Sequence, residues 1–93
     1  MRTIKRTNKF KSDYRRELSG KHGKKLEGLL RSLLSLLLED QPLPRNLVDH
    51  PLNGLWKDCR DCHIKPDLVL IYRKPDEHTL ELVRIGSHSE LGL

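Results

Sequence analysis

Apolar residues recur along this chain at two different periods, and the change of period falls just past its middle. From Asn8, read as an N-cap, Phe10, Tyr14 and Leu18 follow one another four residues apart while Lys9, Lys11, Arg15 and Arg16 lie off that stripe, which predicts an amphipathic helix. Ser19-Gly20-Lys21-His22-Gly23 breaks it. A second helix is predicted from about Lys24 to Glu39, with Leu26, Leu29, Leu30, Leu33 and Leu37 inward and Leu34, Leu36 and Leu38 widening the stripe, as in a helix sandwiched between neighbours. Before both, residues 2–6 alternate and permit a short strand with Ile4 inward. Pro42 and Pro44 end the second helix and open a loop that delivers His50-Pro51 to the next element.

From Leu55 onward the period is two. Residues 55–63 alternate, residues 67–72 are almost wholly apolar as in a central strand, and residues 79–85 alternate again, with Lys74-Pro75-Asp76-Glu77-His78 as the connecting turn. The prediction is a single α+β domain over residues 1–93. Its order is a short N-terminal strand, two helices and a three-stranded antiparallel meander, with the helices on one sheet face.

Composition adds a bound and an asymmetry. Ninety-three residues, 35% hydrophobic and 33% charged, suit one modest core. The leucine-rich run 26–38 is interrupted by Glu27, Gly28, Arg31, Ser32 and Ser35, far short of the roughly 20 apolar residues of a bilayer span. No secretory signal is visible behind Met1, so the expected location is the cytoplasm. Of the net charge of +5, residues 1–31 carry +8 and the remainder −3. Such a basic half suits a polyanion or an acidic protein partner, and equally a solvated helical surface.

Candidate chemistry lies mostly in residues 49–72. Cys59-Arg60-Asp61-Cys62-His63 matches the spacing of a haem-attachment motif, of half a zinc site and of a redox dithiol. Haem attachment requires export, zinc requires further ligands, and an odd separation sends Cys59 and Cys62 to opposite strand faces. Both are read as small strand residues, and no metal or cofactor is expected. His63 and Asp67 flank Ile64-Lys65-Pro66; if those three form the loop, the two face each other with Cβ atoms roughly 5 Å apart, and a carboxylate there orients an imidazole for proton transfer. His50 enters from the Pro-bounded loop, and His88 from the segment after the last strand. Arg84 would add a fixed cation for a developing oxyanion. One base, one acid and one cation are what metal-independent RNA cleavage by a 2′-hydroxyl needs. His22 and His78 are assigned to solvent, and Trp56 to the core, with base stacking as its alternative.

At these residues the chain resembles a known family. Asp49-His50-Pro51-Leu52, Gly54, Trp56, Arg60-Asp61, His63, Pro66-Asp67, Leu70-Ile71-Tyr72, Arg84, Gly86, His88 and Leu91 look like the YafQ branch of the RelE/ParE toxin superfamily. The resemblance spans nearly the whole chain, with its specificity in the second half. It implies a RelE-like fold and the toxin of a type II toxin-antitoxin system, a ribosome-dependent endoribonuclease that cuts messenger RNA in the A site and is held inactive by a DinJ/RelB-like ribbon-helix-helix antitoxin with an acidic C-terminal segment. It implies catalytic roles for His50, His63, Asp67 and His88: His50 as general base, His88 as general acid, and Asp67 and His63 orienting the scissile phosphate or sharing the proton transfer. Arg84 would stabilise charge. From charge alone, Lys5, Arg6, Lys9, Lys11, Arg15, Arg16, Lys21, Lys24, Lys25 and Arg60 would grip RNA and the ribosome. The rival is a ParE-like binder of DNA gyrase that shares the fold and does no chemistry. One departure stands out: the family commonly ends His-x-x-Leu-Phe, and this chain has Gly92 where the aromatic would stack on a base.

Overall fold

The computed structural model describes residues 1–93. The elements run β1 (Thr3–Arg6), α1 (Asn8–Leu18), α2 (Gly23–Leu38), β2 (His50–Pro51), β3 (Arg60–Lys65), β4 (Leu68–Arg73), β5 (Thr79–Gly86) and α3 (His88–Leu91), with short 3-10 turns at Arg45–Leu47 and Gly54–Trp56. The expected order of strand, two helices and meander is present, with two elements added. β2 pairs antiparallel with β3, and α3 follows β5. The sheet has five strands in the order β1-β5-β4-β3-β2, with β1 parallel to β5 and the other neighbours antiparallel.

Local chemistry explains the boundaries. Thr7, not Asn8, caps α1: its hydroxyl accepts from the Phe10 N–H and donates to the Val83 carbonyl, so one side chain starts the helix and ties it to β5. The alternation of residues 55–63 begins as a turn rather than a strand, because Gly54 takes φ 66° and Leu55 stands 97% exposed. β3 therefore starts at Arg60. The β3–β4 turn is only Pro66-Asp67, with a bulge between His63 and Lys65, so His63 lies opposite Val69 and not Asp67.

α1 and α2 cover one sheet face. Phe10, Leu26, Leu30, Leu33 and Leu37 pack on Cys62, Ile64, Leu68, Leu70, Tyr72, Leu80, Leu82 and Ile85. Each fully buried leucine contributes roughly 1.5–3 kcal/mol. The other face carries a smaller cluster of Cys59, Val69, Ile71 and Leu91, flanked by Leu52, Val83 and the half-buried Trp56. The two cysteines thus join different clusters, as their spacing requires, and burial pushes the Cys62 thiol up to about 12. Three expectations of burial are corrected. Ile4 faces the helix side as expected, beside Phe10 and Leu34, yet remains 37% exposed because β1 is an edge strand. Leu29, Leu34, Leu36 and Leu38 of the supposedly sandwiched α2 are only half-buried. His22 is half-buried with its Nε2 unpartnered, whereas His78 is exposed as expected. No helix is long and apolar enough to cross a membrane.

Candidate active site

Strand pairing builds the site on the sheet face opposite α1 and α2. In the β2–β3 register His50 lies directly across from Asp61, and His63 is two residues further along β3, so all three side chains leave the same face. His50 Nε2 sits 2.8 Å from Asp61 Oδ1. The His63 and His88 rings meet edge to face with centroids 5.0 Å apart, and His88 Nδ1 lies 3.5 Å from Asp67 Oδ1. His50, His63, Asp67 and His88 therefore stand on one rim, as the sequence reading required. Their pairing differs: Asp67 partners His88, because the two-residue turn carries it past His63.

The residue that sequence reasoning missed is Asp61. It is 2% exposed, and its Oδ1 has no hydrogen-bond donor, since the close approach of His50 Nε2 is poorly aligned for one. Burial raises its pKa above the ordinary carboxylate value, opposed by the attraction of His50, His63 and His88. His50 Nδ1 lies 3.1 Å from the Pro51 carbonyl. If Nδ1–H donates there, Nε2 turns its lone pair toward the carboxylate, and two electron-rich atoms at this separation call for a proton or cation near them. His50, Asp61 and His63 each offer a donor atom within 4.8 Å of the others, so the same trio could hold a metal ion. The signal for Asp61 was its two-residue offset from His63, masked by the cysteine motif around it.

Three expected cations are committed elsewhere. Arg84 donates from Nε and Nη2 to Asp13, both at 2.8 Å, with its side chain 17% exposed, so it is not the free rim charge expected. Asp13 is a buried acid that α1's basic face conceals. Burial would raise its pKa, but hydrogen bonds from Arg84 and the Ile85 N–H, with the charges of Arg84 and Arg16, bring it below the ordinary value. Arg16 also pairs with Asp13, Glu17 and Glu90. Arg60 binds Asp49, which accepts a further hydrogen bond from the Tyr72 hydroxyl at 2.6 Å. Lys5, Arg6, Lys9, Lys11, Arg15, Lys21, Lys24 and Lys25 are exposed and make no ion pair. Where the resemblance expects an aromatic, Gly92 closes α3 in the left-handed conformation at φ 72°.

A five-stranded sheet with two helices on one face is the arrangement of YafQ/RelE-like structures. Residues 2–92 match the family described as bacterial toxin of type II toxin-antitoxin system, YafQ, and the chain belongs to that family. It is 37% identical over 91 residues to the mRNA interferase toxin YafQ of Escherichia coli strain B, covering 97% of this chain and 95% of that one. The crystal structure of the E. coli DinJ-YafQ complex contains a similar chain, with TM-score 0.79 and 32% identity, covering 98% of each. A metal-bound toxin from Helicobacter pylori superposes with TM-score 0.81 at 44% identity, covering 98% of this chain and 99% of that one.

Proposed function

We propose that this protein is an endoribonuclease toxin that cleaves messenger RNA on the ribosome by general acid/base chemistry. The observation that carries the reading is the contact of buried Asp61 with His50 on a rim shared with His63 and with the His88–Asp67 pair. In this reading His50 takes the proton of the 2′-hydroxyl, and the Asp61 carboxylate, 2.8 Å from Nε2, stabilises the imidazolium that forms. The 2′-oxygen attacks the adjacent phosphorus, and the bond to the 5′-oxygen breaks. His88, held by Asp67, gives the leaving oxygen its proton. His63, edge-on to His88, hydrogen-bonds the phosphate. The unpaired lysines and arginines of β1, α1 and the start of α2 grip ribosomal RNA, whereas Arg84, Arg16 and Arg60 serve structure first. A plain gyrase-binding surface has no need of an acid and a base, and the curated relatives are named mRNA interferases.

The partner is a cognate antitoxin, as the DinJ-YafQ complex shows for the relative. Its acidic segment would lie as an amphipathic helix in the groove of about 510 Å³ floored by Ile4, Phe10, Tyr14, Leu30, Leu34 and Leu38, with Arg6 and Arg31 among its walls. This accounts for the apolar face that α2 leaves uncovered. The test is cleavage of a translated messenger by wild type and by His50→Ala, His63→Ala and His88→Ala. Loss of cuts in the variants supports the assignment; equal cutting by all four proteins refutes it.

A further inference from the structure

α3, which carries His88, has four residues, too few to hold a helix by its own hydrogen bonds. What fixes it is visible around Glu90. The Glu90 carboxylate accepts from the Ser87 N–H at 2.9 Å while the Ser87 hydroxyl accepts from the Glu90 N–H, closing a capping box on either side of His88. The second oxygen of Glu90 lies 3.0 Å from Arg16 Nε. The same guanidinium donates to the Ile85 carbonyl at 3.1 Å and to Asp13 at 3.0 Å, so Arg16 is anchored at both ends of its fork before it reaches α3. It can pass only because residue 86 is glycine: a Cβ there would stand 2.7 Å from Arg16 Nη2 and 3.2 Å from Glu90 Oε1.

We infer that Arg16 and Glu90 form a clamp, threaded over Gly86, that positions the His88 imidazole against Asp67 and His63. Both are positioning residues, and Arg16 is withdrawn from the set of RNA contacts. The inference rests on His88 being the catalytic acid, and it separates from a phosphate-contact role by which kinetic constant moves. A lost phosphate contact raises KM and flattens the salt dependence. A lost positioning contact lowers kcat and leaves both nearly unchanged.

The experiment compares Gly86→Ala, Glu90→Gln, Arg16→Met and His88→Ala in one translation-coupled cleavage assay, with imidazole NMR of the free toxins. Gly86→Ala is the mild probe, because the atoms it displaces end flexible side chains. Glu90→Gln keeps an acceptor for the Ser87 N–H and removes the ion pair. The expected result is a fall of about tenfold in kcat for Gly86→Ala, Glu90→Gln and Arg16→Met, with KM within about twofold, since misplacement of a catalytic group costs up to about a hundredfold. The cross-peaks between the His63 and His88 rings should weaken in all three. Unchanged kcat and ring cross-peaks in Gly86→Ala and Glu90→Gln, with His88→Ala inactive, overturn the clamp alone. Full activity in His88→Ala overturns the catalytic reading and the clamp with it. Should Arg16→Met fail to fold, the other two variants decide.

Discussion

Replacing Asp61 by Asn separates what the buried carboxylate does for catalysis from what it costs the fold. At 2% exposure with no aligned donor on Oδ1, the ionised group is an unsatisfied buried polar atom, a situation that costs about 1–3 kcal/mol. Asn keeps the volume and removes the charge. For a domain of this length 1 kcal/mol moves Tm by roughly 4–8 °C, so D61N should melt about 5 °C higher at neutral pH. The sign follows from the titration. Burial raises the Asp61 pKa in the folded state, against the pull of the three histidines, so the native protein binds this proton more tightly than the unfolded chain. Stability from this group is present at low pH and is lost as pH climbs from the ordinary carboxylate value through the raised one. D61N should lack that decline. Activity should move the other way. If His50 is the base, loss of the carboxylate that stabilises its charged form should cost about 10²–10⁴ in rate, roughly 3–5 kcal/mol of barrier. Primer extension on a translated messenger measures the cuts, and thermal melts across pH measure the stability. The double variant D61N/H50A should cut no more slowly than H50A, because residues that act as a unit are not additive. Cleavage by D61N within about threefold of wild type, or a melt several degrees lower, would refute the reasoning.

Asp13→Asn removes an acid whose folded pKa is lowered, once its cations and the Ile85 N–H outweigh burial; its stabilisation is present above the ordinary carboxylate value and lost as pH falls through the lowered one. The variant should lose about 3 kcal/mol near neutral pH by stranding Arg84, and pH-dependent melts should show a flatter acid limb. Leu34→Glu and Leu38→Glu, in the groove along α2, should abolish capture by the cognate antitoxin while leaving cleavage within about twofold, as read by co-purification and the cleavage assay. Zn²⁺ should inhibit wild type reversibly through His50, Asp61 and His63, with activity returning on chelation, and calorimetry should show the affinity lost in His63→Ala. Gly92→Phe should not simply restore base stacking: a φ of 72° strains any side chain there, and melting should report a loss of about 1 kcal/mol.

The helices and central strands were legible in the sequence because their periods are long and strong. Leu26 to Leu37 could be little else, and the run from Leu68 to Tyr72 could only be a buried strand. Features that depend on pairing between distant segments were not legible. β2 is two residues long, so no periodicity announces it, yet it alone sets His50 against Asp61. The partner of Asp67 turned on one residue of turn length. The commitments of Arg84 and Arg16 depend on Asp13, which lies 71 residues before Arg84. A basic helix read as a solvent face gives no hint that one of its acids is buried.

The parallel pairing of β1 with β5 sets an order of events in synthesis. Thr3 to Arg6 leave the ribosome early but find their neighbours only when Thr79 to Leu82 have been made. Until then the sheet lacks the strand that stands between β1 and β4, and α1 has no β5 to cap against through Thr7. Closing so long a loop is slow compared with forming a local hairpin. A nascent chain therefore carries His50, Asp61 and His63 for some time before His88 can join them. Because His88 follows β5, the rim of His50, Asp61, His63 and His88 is complete only once the last-made strand and α3 are in place.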